Sequence, residues 1–536
     1  PKTPEWAESI CAVPAETIRG LARLYGTTKP TWIWKGYGLD RKSRGENTAR
    51  GAAALHALTG NWGKAGGGVP LHLRFRDKPS VMLPFGDIPR RMVPKMYRSH
   101  KWAQAVLLKD KLESGEMSVE EYKRAIGWRA GAPPKRKVSR VWAMDKTSAA
   151  SDIEVTEADE QEVLPNVKML VWGTYYGPGT NTVNNNADST DDQVRAIERL
   201  DYVAWAGTVM APMAKWADLV LPLEEMTLEG RTIQTAGYGG FANFTFIPGV
   251  VAPQGEAKND DWVYTELARR LGVQQYNRYY KEGDDWDESW ERYLEDEYAK
   301  LSERLAAQGV PAPEWEEFQK GALINVEDAY DKPWHGYTDF IEDGKPLKTR
   351  TGKIELYSEV VADETQRGKL HFDAHGQLLD NLPNDWRDLA PMPVYQKMYR
   401  GMDHQDVTRF PLMLLTCYPR YRNHSTFWNV PWLKGDCYRH AAWINVSDAH
   451  ARGIRDGDLV RVSNDKGTAV IPAYVTSRVL PGVTVIHHGG WYEPDENGVD
   501  WGCTPNVFLG DPESPVTAPH VTTLVEIEKH AGSGKA

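Results

Sequence analysis

The chain of 536 residues carries 64 Lys and Arg against 74 Asp and Glu, and 41% of its residues are hydrophobic. This length predicts roughly two to four domains with large apolar cores. The net charge of −10 argues against a nucleic-acid surface that covers the whole protein. The sequence contains neither an apolar run of about 18 residues, which would predict a membrane span, nor a targeting segment.

The first part of the chain predicts helices joined by glycine-rich loops. Residues 14–26 begin with Pro, end with Gly and carry one apolar stripe, which predicts a helix. Residues 31–38 predict a strand that runs into a loop at Gly36 and Gly38. Residues 46–59 predict a second helix, and residues 60–68 a glycine-rich loop. We assign residues 1–28 to the tail of a preceding α/β domain.

Short apolar runs then alternate with helical patterns. "VKMLVW", "DYVAWAG" and "ADLVLP" predict strands, and "DDQVRAIERL" and "DDWVYTELARRLG" predict helices. This alternation predicts a Rossmann-like parallel sheet covered on both faces. We place this α/β domain at residues 29–375, with an inserted segment at about 129–165 where the composition shifts. Charged, Trp-rich residues 281–331 predict surface helices.

The last part of the chain predicts a β-rich domain. Residues 376–409 are rich in Pro, Asp and Asn and predict a linker. After it, "PLMLL", "GDLVRVSNDKGTAVIPAYVT", "GVTVIHH" and "VTTLVEIE" predict strands, with one short helix at "SDAHARG". Many short strands with few helices predict a compact β-barrel over residues 410–536.

Familiar catalytic motifs are incomplete. Gly63-Lys64 is followed by Ala65, where a phosphate-binding loop needs Ser or Thr, and no G-x-G-x-x-G opens a helix. "HHGG" at 487–490 lacks the G-x-S-x-G that would supply a nucleophile, and H-E-x-x-H is absent. The cysteines form no C-x-x-C pair, so they predict neither a zinc site nor an iron–sulfur cluster.

Candidate ligand loops follow predicted strands, where open α/β sheets bind their ligands. "VWGTYYGPGTNTVNNN" brings Gly173, which permits close backbone approach, together with the polar side chains of Thr174, Asn181 and Asn184. A flexible surface loop is the alternative. Four charged residues flank the later elements of the same domain: Lys215, Asp218, Lys258 and Asp261.

The stretch "LTCYPRYRNHSTFWNV" sets cations and hydroxyls among aromatic rings directly after a predicted strand. Arg420 and Arg422 offer forked donors, and His424 and Ser425 add an imidazole and a hydroxyl. Together these loops suit a large, anionic, heteroaromatic ligand held between two domains.

As an ordered series, these stretches resemble the molybdopterin oxidoreductases of the dimethyl sulfoxide reductase family. The similar segments include "LHALTGNWGKAGGG", "LVWGTYYGPGTN", "MAPMAKWADLVLP", "GEAKNDDW", "RTGKIELYS" and "YPRYRNHS". Within the family, the resemblance is to catalytic subunits of the sulfoxide reductase and pyrogallol transhydroxylase types. It implies a Rossmann-like α/β domain followed by a six-stranded β-barrel of the double-psi type, with the N-terminal part of the family fold missing.

The resemblance implies bis-molybdopterin guanine dinucleotide with molybdenum or tungsten as the cofactor. It implies no metal ligand in this chain, because the metal ligand and a 4Fe-4S cluster are expected in the missing N-terminal part. One departure is Gly207, where the family usually carries Asp. The implied cofactor-binding residues are Gly173, Thr174, Asn181, Asn184, Lys215, Asp218, Lys258, Asp261, Arg420, Arg422, His424, Ser425, His488, Trp491, Asn506 and His520.

The implied function is oxo transfer of the anaerobic respiratory type, such as reduction of S- or N-oxides. The implied partners are an iron–sulfur electron-transfer subunit, a membrane anchor subunit as a further candidate, and a small-molecule substrate, without nucleic acid and without direct membrane insertion. A periplasmic or partner-mediated membrane location is favoured over a cytoplasmic one. The alternatives are a non-redox hydratase or hydroxyl transferase on the same cofactor, and a non-catalytic cofactor-binding fragment.

Overall fold

The structure is a computed structural model of the chain. It describes residues 2–33, 37–40, 44–68, 102–126, 164, 166–173, 190–225, 228–235, 243–272, 285–307, 309–325, 337–347, 349–362, 390–398, 400–422, 424–433, 439–509 and 522–532.

The helices α1 to α14 of this part run over Pro4–Cys11, Ala15–Thr27, Tyr37–Asp40, Gly45–Leu58, Trp102–Leu107, Lys109–Glu113, Val119–Ala125, Thr190–Ile197, Asp260–Arg270, Trp286–Ala306, Trp315–Gln319, Thr338–Ile341, Glu359–Ala362 and Val446–Ala451. The strands β1 to β12 run over Met169–Gly173, Tyr202–Gly207, Leu219–Pro222, Thr232–Thr235, Asn243–Ile247, Ile324–Asn325, Leu412–Cys417, Ala442–Asn445, Leu459–Ser463, Thr468–Thr476, Val483–His487 and Thr522–Lys529. Short 3-10 helices occupy Pro212–Trp216, Gln405–Thr408 and Pro505–Phe508.

The α/β part contains a three-stranded sheet in the order β1-β2-β3, and both pairings are parallel. This confirms the predicted parallel sheet. The prediction that both faces are covered is confirmed for β2, where the successive residues Val203, Ala204, Trp205 and Ala206 are all buried, but it is wrong for the outer strands β1 and β3. Met169 is 51% exposed and Val171 39%, and the successive residues Leu219 and Val220 are 40% and 37% exposed. Because neighbouring side chains on a strand point to opposite faces, β3 is open on both.

The C-terminal strands close a barrel in the order β10-β8-β11-β7-β12-β9. β7 pairs in parallel with β11, and β8 with β10, whereas the other four pairings are antiparallel. Parallel neighbours that are distant in the chain need crossed connections, in agreement with the predicted double-psi type. The six-stranded barrel and the β9–β10 hairpin are confirmed.

A second core was not predicted. The antiparallel strands β4, β5 and β6 form a small sheet on which α10 and α11 pack. The predicted helices of residues 281–331 are present as α10 and α11, but α10 is more than a surface helix. It buries Leu294, Tyr298, Leu301 and Leu305, spaced as one face of a helix.

The strand predicted at the start of residues 31–38 is present only as an isolated bridge of Trp32 to Gly68, and residues 34–36 lie outside the described part. A short helix covers Tyr37–Asp40, where the sequence predicts a loop at Gly38. The other helices named in the sequence analysis are confirmed to within a few residues. The predicted domain boundaries remain predictions.

One apolar core joins the parallel sheet to the barrel. Val203 and Trp205 of β2 belong to the same buried cluster as Leu414 of β7 and Ile486 of β11. Phe508, from the 3-10 helix that precedes β12, also belongs to it. Burial of apolar surface is the main favourable term in folding, so this shared core fixes the barrel against the sheet.

Candidate functional site

Two long loops leave the barrel at the same end. β7 and β11 are parallel and in register, with Cys417 opposite His487 at their last residues. The chain therefore enters the segments 418–433 and 488–509 side by side. Most of the predicted barrel-side cofactor residues lie on these two segments, because parallel strands deliver their following loops to one edge.

Arg422 connects the two segments. Its Nη1 donates to the carbonyl oxygen of Gly489 at 2.9 Å, and it also donates to the carbonyl oxygen of His424. The guanidinium carbon lies 5.0 Å from the ring centroid of Trp428, within cation–π range. Arg420 is exposed, with its guanidinium 5.7 Å from the Tyr421 ring. The half-buried guanidinium of Arg422 thus joins the two segments, whereas Arg420 faces solvent.

A cluster of rings stands beside this arginine. The His424 and His488 rings are stacked with centroids 5.0 Å apart. Tyr418 meets both edge-on, at 5.1 Å from His424 and 4.1 Å from His488. His424 has a φ of +50°, a left-handed conformation that is unusual for a side chain other than Gly, Asn or Asp. Its surroundings therefore fix its position.

The glycines after His488 let the segments approach closely. A Cβ at Gly489 would lie 2.1 Å from the carbonyl oxygen of His424, and one at Gly490 would lie 2.4 Å from that of Gly502. Trp491 follows, and its Nε1 donates to the carbonyl oxygen of Ser425 at 3.0 Å. Only glycine fits at 489 and 490. The two glycines of "HHGG", a stretch similar to an esterase loop, therefore allow the two segments to pack closely.

The electrostatics of this end favour neutral imidazole and neutral thiol. Burial, with the nearby charge of Arg422, lowers the pKa of His487. Burial raises the pKa of the Cys417 thiol. The Arg422 guanidinium is held beside the half-buried imidazole rings. Its positive charge and the N–H groups of these rings favour an anionic ligand at this end of the barrel.

The remaining barrel-side residue, Asn506, is buried in the short helix Pro505–Phe508. That helix packs against α8, so Asn506 lies where the barrel meets the α/β part. Ser425 is fully buried beneath the ring cluster.

A second group of predicted residues lies at the carboxyl ends of β1, β2 and β3. Gly173 is the last residue of β1, in register with Ala206. Lys258 continues the edge at β3, because its backbone N–H donates to Pro222 and its carbonyl accepts from Glu224. Its Nζ lies 5.8 Å from the Trp262 ring.

Asp261 lies in the first turn of α9, which follows Lys258. Partial desolvation, together with the carboxylates of Asp260 and Glu224, raises the pKa of Asp261 to about 6. Glu224 accepts a hydrogen bond of 2.8 Å from Asn259 Nδ2. A carboxyl group with a raised pKa at a strand end can accept or donate a hydrogen bond to a polar ligand near neutral pH.

Lys215 and Asp218 are not brought to this edge by the geometry. Asp218 precedes β3, and its Oδ2 accepts from the backbone N–H of Val203 at 2.7 Å, near the beginning of β2. It is therefore at the amino ends of the strands, and its carboxylate holds the sheet. Lys215 is exposed on the 3-10 helix between β2 and β3. Four further predicted residues lie outside the described part: Thr174, Asn181, Asn184 and His520.

Gly207, the departure from the family pattern, has a structural explanation. A Cβ there would lie 2.8 Å from Nε1 of Trp205, whose indole is 1% exposed and lies over the strand end. A side chain such as Asp at position 207 would collide with this ring.

Three contributing residues were missed from the sequence. Trp428 supports Arg422, Tyr492 contacts the α/β part, and Asp500 is fully buried below the loops. The "GVDWG" around Asp500 resembles an ordinary turn in sequence. Its burial depends on tertiary contacts, so no local signal could have identified it.

The described donors fit the implied cofactor. A guanidinium and two stacked imidazoles come together at the barrel end, held by the hydrogen bond from the Trp491 indole to Ser425. The guanidinium and imidazoles can hydrogen-bond phosphate oxygens and ring nitrogens, and the aromatic rings can face a flat heterocycle. Among the described residues, no three His, Cys, Asp or Glu side chains converge in an arrangement that could hold a metal ion.

Comparison with known proteins agrees with this donor set. Residues 412–519 match the family model of the molydopterin dinucleotide binding domain. The chain is 30% identical to the putative dimethyl sulfoxide reductase chain YnfE of Escherichia coli (strain K12), over 98% of the chain and 58% of the relative. It is 31% identical to dimethyl sulfoxide reductase DmsA of the same strain, over 98% and 57%. These similarities support a relationship of the chain to the dimethyl sulfoxide reductase family of molybdopterin oxidoreductases.

A further relative is named for a different substrate. The chain is 28% identical to a trimethylamine-N-oxide reductase of Haemophilus influenzae (strain ATCC 51907 / DSM 11121 / KW20 / Rd), over 96% of the chain and 54% of the relative. The chain thus spans a little over half the length of the relatives it matches.

A solved structure shares the fold. Acetylene hydratase from Pelobacter acetylenicus superposes with a TM-score of 0.58 and 17% identity, covering 98% of this chain and 64% of that one. This likeness concerns the fold alone. Within the described residues, no helix combines the length and the apolar character needed to cross a membrane.

Proposed function

We propose that the chain is the cofactor-holding portion of a molybdenum or tungsten bis-molybdopterin guanine dinucleotide oxidoreductase that reduces S- or N-oxides. The observation that carries this proposal is the convergence of Arg422, His424, His488 and Trp491 at one end of a barrel that matches the dinucleotide-binding family. The relatives named as dimethyl sulfoxide and trimethylamine-N-oxide reductases support the substrate class.

The residues of this chain bind and orient the cofactor. Arg422, already fixed by two backbone carbonyls and the Trp428 ring, neutralises negative charge on the ligand. The stacked His424 and His488 donate to its ring nitrogens or sulfurs. Trp491 and Asn506 line the side of the cofactor site that the barrel forms. When bound, the metal centre supplies two-electron oxygen-atom transfer, and the protein supplies position and hydrogen bonds.

The carboxyl edge of β1–β3 holds a nucleotide end of the same cofactor. Gly173 leaves room for close backbone approach, and Lys258 and Asp261 stand at the end of the neighbouring strand. Lys258 attracts a phosphate, and Asp261 recognises a base N–H. Lys215, Asp218, Arg420, Thr174, Asn181, Asn184, Ser425 and His520 remain candidates from the family resemblance.

The electron path requires groups outside this chain. A 4Fe-4S cluster and the metal-ligating side chain belong to the remaining part of the longer family protein, and an iron–sulfur subunit exchanges electrons with them. A membrane anchor subunit and a periplasmic or membrane-associated location complete the proposal, which is supported by the resemblance to the DmsA type of relative.

Metal and pterin analysis of the full-length protein tests the cofactor. Elemental analysis is expected to give one molybdenum or tungsten per chain, and acid release to give two guanine nucleotides and a fluorescent oxidised pterin. A folded full-length protein that contains neither metal nor pterin would contradict the proposal and favour a non-catalytic module.

An assay with reduced viologen dye separates the enzymatic alternatives. Dimethyl sulfoxide or trimethylamine N-oxide is expected to oxidise the dye in a protein-dependent reaction. A loaded protein that hydrates or hydroxylates a substrate without any exchange of electrons with the dye would favour the non-redox alternative.

A further inference from the structure

Asp500 is buried at the centre of the second loop segment. Its side chain is 0% exposed, and its two carboxylate oxygens accept three backbone hydrogen bonds. Oδ1 accepts from Glu493 N at 2.8 Å and from Gly502 N at 2.9 Å, and Oδ2 accepts from Thr504 N at 2.7 Å. A single carboxylate thus holds the chain on both sides of it.

The backbone of Asp500 is itself anchored to the barrel. Its N–H donates to the carbonyl of Thr468 at 3.0 Å, and its carbonyl accepts from Val470 N at 3.0 Å. Both partners lie on β10, so Asp500 extends the barrel wall by one bridge. The position of the carboxylate is fixed by a strand and not by a mobile loop.

A continuous series of contacts leads from Asp500 to the ring cluster. Gly502, held by Asp500, packs so tightly that a Cβ there would lie 1.6 Å from the carbonyl oxygen of Trp491. Gly490 packs in turn on the carbonyl of Gly502. Trp491 then donates to Ser425 at 3.0 Å, beside His424. A displacement of Gly502 is transmitted to both loop segments, because no space separates them.

We propose that Asp500 is a positioning residue that holds the 488–504 segment in the geometry that lets His488 and Trp491 contact the cofactor. The inference rests on the proposed function and adds a residue that does not itself touch the ligand. Simple stabilisation of the barrel is the competing explanation, and it predicts no specific effect on the cofactor.

The surroundings of the carboxylate make it sensitive to pH. Burial raises the pKa of Asp500 to about 7, although the hydrogen bonds from Glu493, Thr504 and Gly502 act in the opposite direction. The facing titratable groups are Glu493, Cys503 and Tyr492. Protonation of one oxygen removes its capacity to accept an N–H at that position without changing any other atom.

Asp500→Asn is the main variant, because it keeps the volume of the side chain and removes one accepting oxygen. Asp495→Asn is the matched control. Asp495 also accepts two backbone hydrogen bonds, from Asn497 and Val499, in the same segment, but its carboxylate is at the surface. Leu524→Ala, in the buried barrel wall, controls for loss of stability alone.

The experiment measures cofactor release from the full-length holoenzyme by gel filtration and nucleotide analysis. Asp500→Asn is expected to release cofactor on the order of tenfold faster than the unchanged protein, the effect of one lost charge-assisted hydrogen bond. Its Mo(V) or W(V) electron paramagnetic resonance spectrum is also expected to change. Asp495→Asn is expected to behave like the unchanged protein.

Equal release rates for Asp500→Asn and the unchanged holoenzyme would overturn the inference and leave the proposed function intact. Release from Leu524→Ala as fast as from Asp500→Asn, at an equal loss of Tm, would also overturn the inference. It would show that lost stability alone accelerates release. An unchanged protein without cofactor would instead overturn the proposed function, and this inference with it. If Asp500→Asn does not fold, Asp500→Glu is the second variant, because it keeps the carboxylate but shifts its oxygens away from the three N–H groups. Faster cofactor release from Asp500→Glu than from the unchanged protein supports the inference, and an equal rate overturns it.

Discussion

Tyr492 of the barrel donates a hydrogen bond of 3.3 Å from its Oη to Oδ1 of Asp191, in the first turn of α8. The same ring stacks on Trp216 with a centroid distance of 5.9 Å. Burial raises the pKa of both Tyr492 and Asp191. This pair is a polar contact inside the core that joins the barrel to the parallel sheet.

We expect Tyr492→Phe and Asp191→Ala to show a coupling energy of about 1 kcal/mol in a double-mutant cycle, because each substitution removes one partner of the same half-buried hydrogen bond. The measurement is urea unfolding of the chain. Asp192→Ala is the control, since Asp192 pairs with Arg195 and not with Tyr492. A coupling to Tyr492 as large for Asp192 as for Asp191 would show that the hydrogen bond is not the cause.

Arg422→Lys is expected to lower cofactor retention by roughly tenfold although it keeps the charge. Lysine lacks the planar guanidinium, which stacks on Trp428 while its Nη1 donates to the carbonyls of His424 and Gly489. The matched control is Arg420→Lys, on the exposed neighbour. Nucleotide analysis after gel filtration of the full-length protein measures retention. Identical retention in both variants would remove Arg422 from the binding site.

Gly489→Ala and Gly498→Ala separate packing from backbone strain. Both glycines have positive φ, at +84° and +75°, but only Gly489 has neighbours within 4 Å of an added Cβ. We expect a cost of about 1 kcal/mol for Gly498→Ala and roughly 3 kcal/mol or more for Gly489→Ala. Denaturant unfolding measures both. Equal costs would mean that the His424 loop can move away.

Asp500 predicts a specific pH dependence of stability. Its pKa is raised from 3.8 to about 7 in the folded state, so the folded chain binds a proton that the unfolded chain releases. Proton binding at Asp500 adds to the free energy of unfolding, with an upper limit on the order of 4 kcal/mol. This stabilisation is fully present below about pH 4 and is lost as the pH rises to about 7. Urea unfolding from pH 4 to 8 measures it, and Asp500→Asn is expected to flatten this part of the curve.

Asp495 should give a pH dependence of stability of the opposite sign. Its pKa is lowered by hydrogen bonds from Trp501 and from backbone N–H groups, so its stabilisation is present at neutral pH and is lost on acidification. Asp495→Asn is expected to reduce the acid sensitivity of the chain. A common pH profile for both variants would show that neither carboxylate acts individually.

Five of the six barrel strands were predicted because their signals are local, whereas the four-residue strand β8 was missed. β9 and β10 alternate around the "SNDKG" turn, and β7, β11 and β12 are short apolar runs. The open faces of β1 and β3 were not predictable. An apolar run indicates a buried strand whether or not the element that covers it is in the same chain. The exposure of Val171 and Val220 could therefore not be inferred from the sequence.

The site was predictable as a set of donors but not as an arrangement. The sequence indicated Arg422, His424 and His488 because cations and imidazoles follow strands there. It could not show that Arg422 donates to the carbonyl of Gly489, 67 residues away, or that the carboxylate of Asp218 accepts from the backbone of β2. Such pairings depend on loop closure, which no residue pattern of short range encodes.

Within the described residues, β1 and β3 are the two edges of the parallel sheet, and the outer side of β3 meets only Lys258, at the end of the strand. Apolar side chains are exposed on both strands, at Met169 and Val171 of β1 and at Leu219 and Val220 of β3. Unpaired strand edges with apolar flanks are templates for pairing with other chains. Expressed as these residues alone, the polypeptide should therefore self-associate by edge-to-edge contact, and its solution behaviour should be judged by light scattering before any ligand is added.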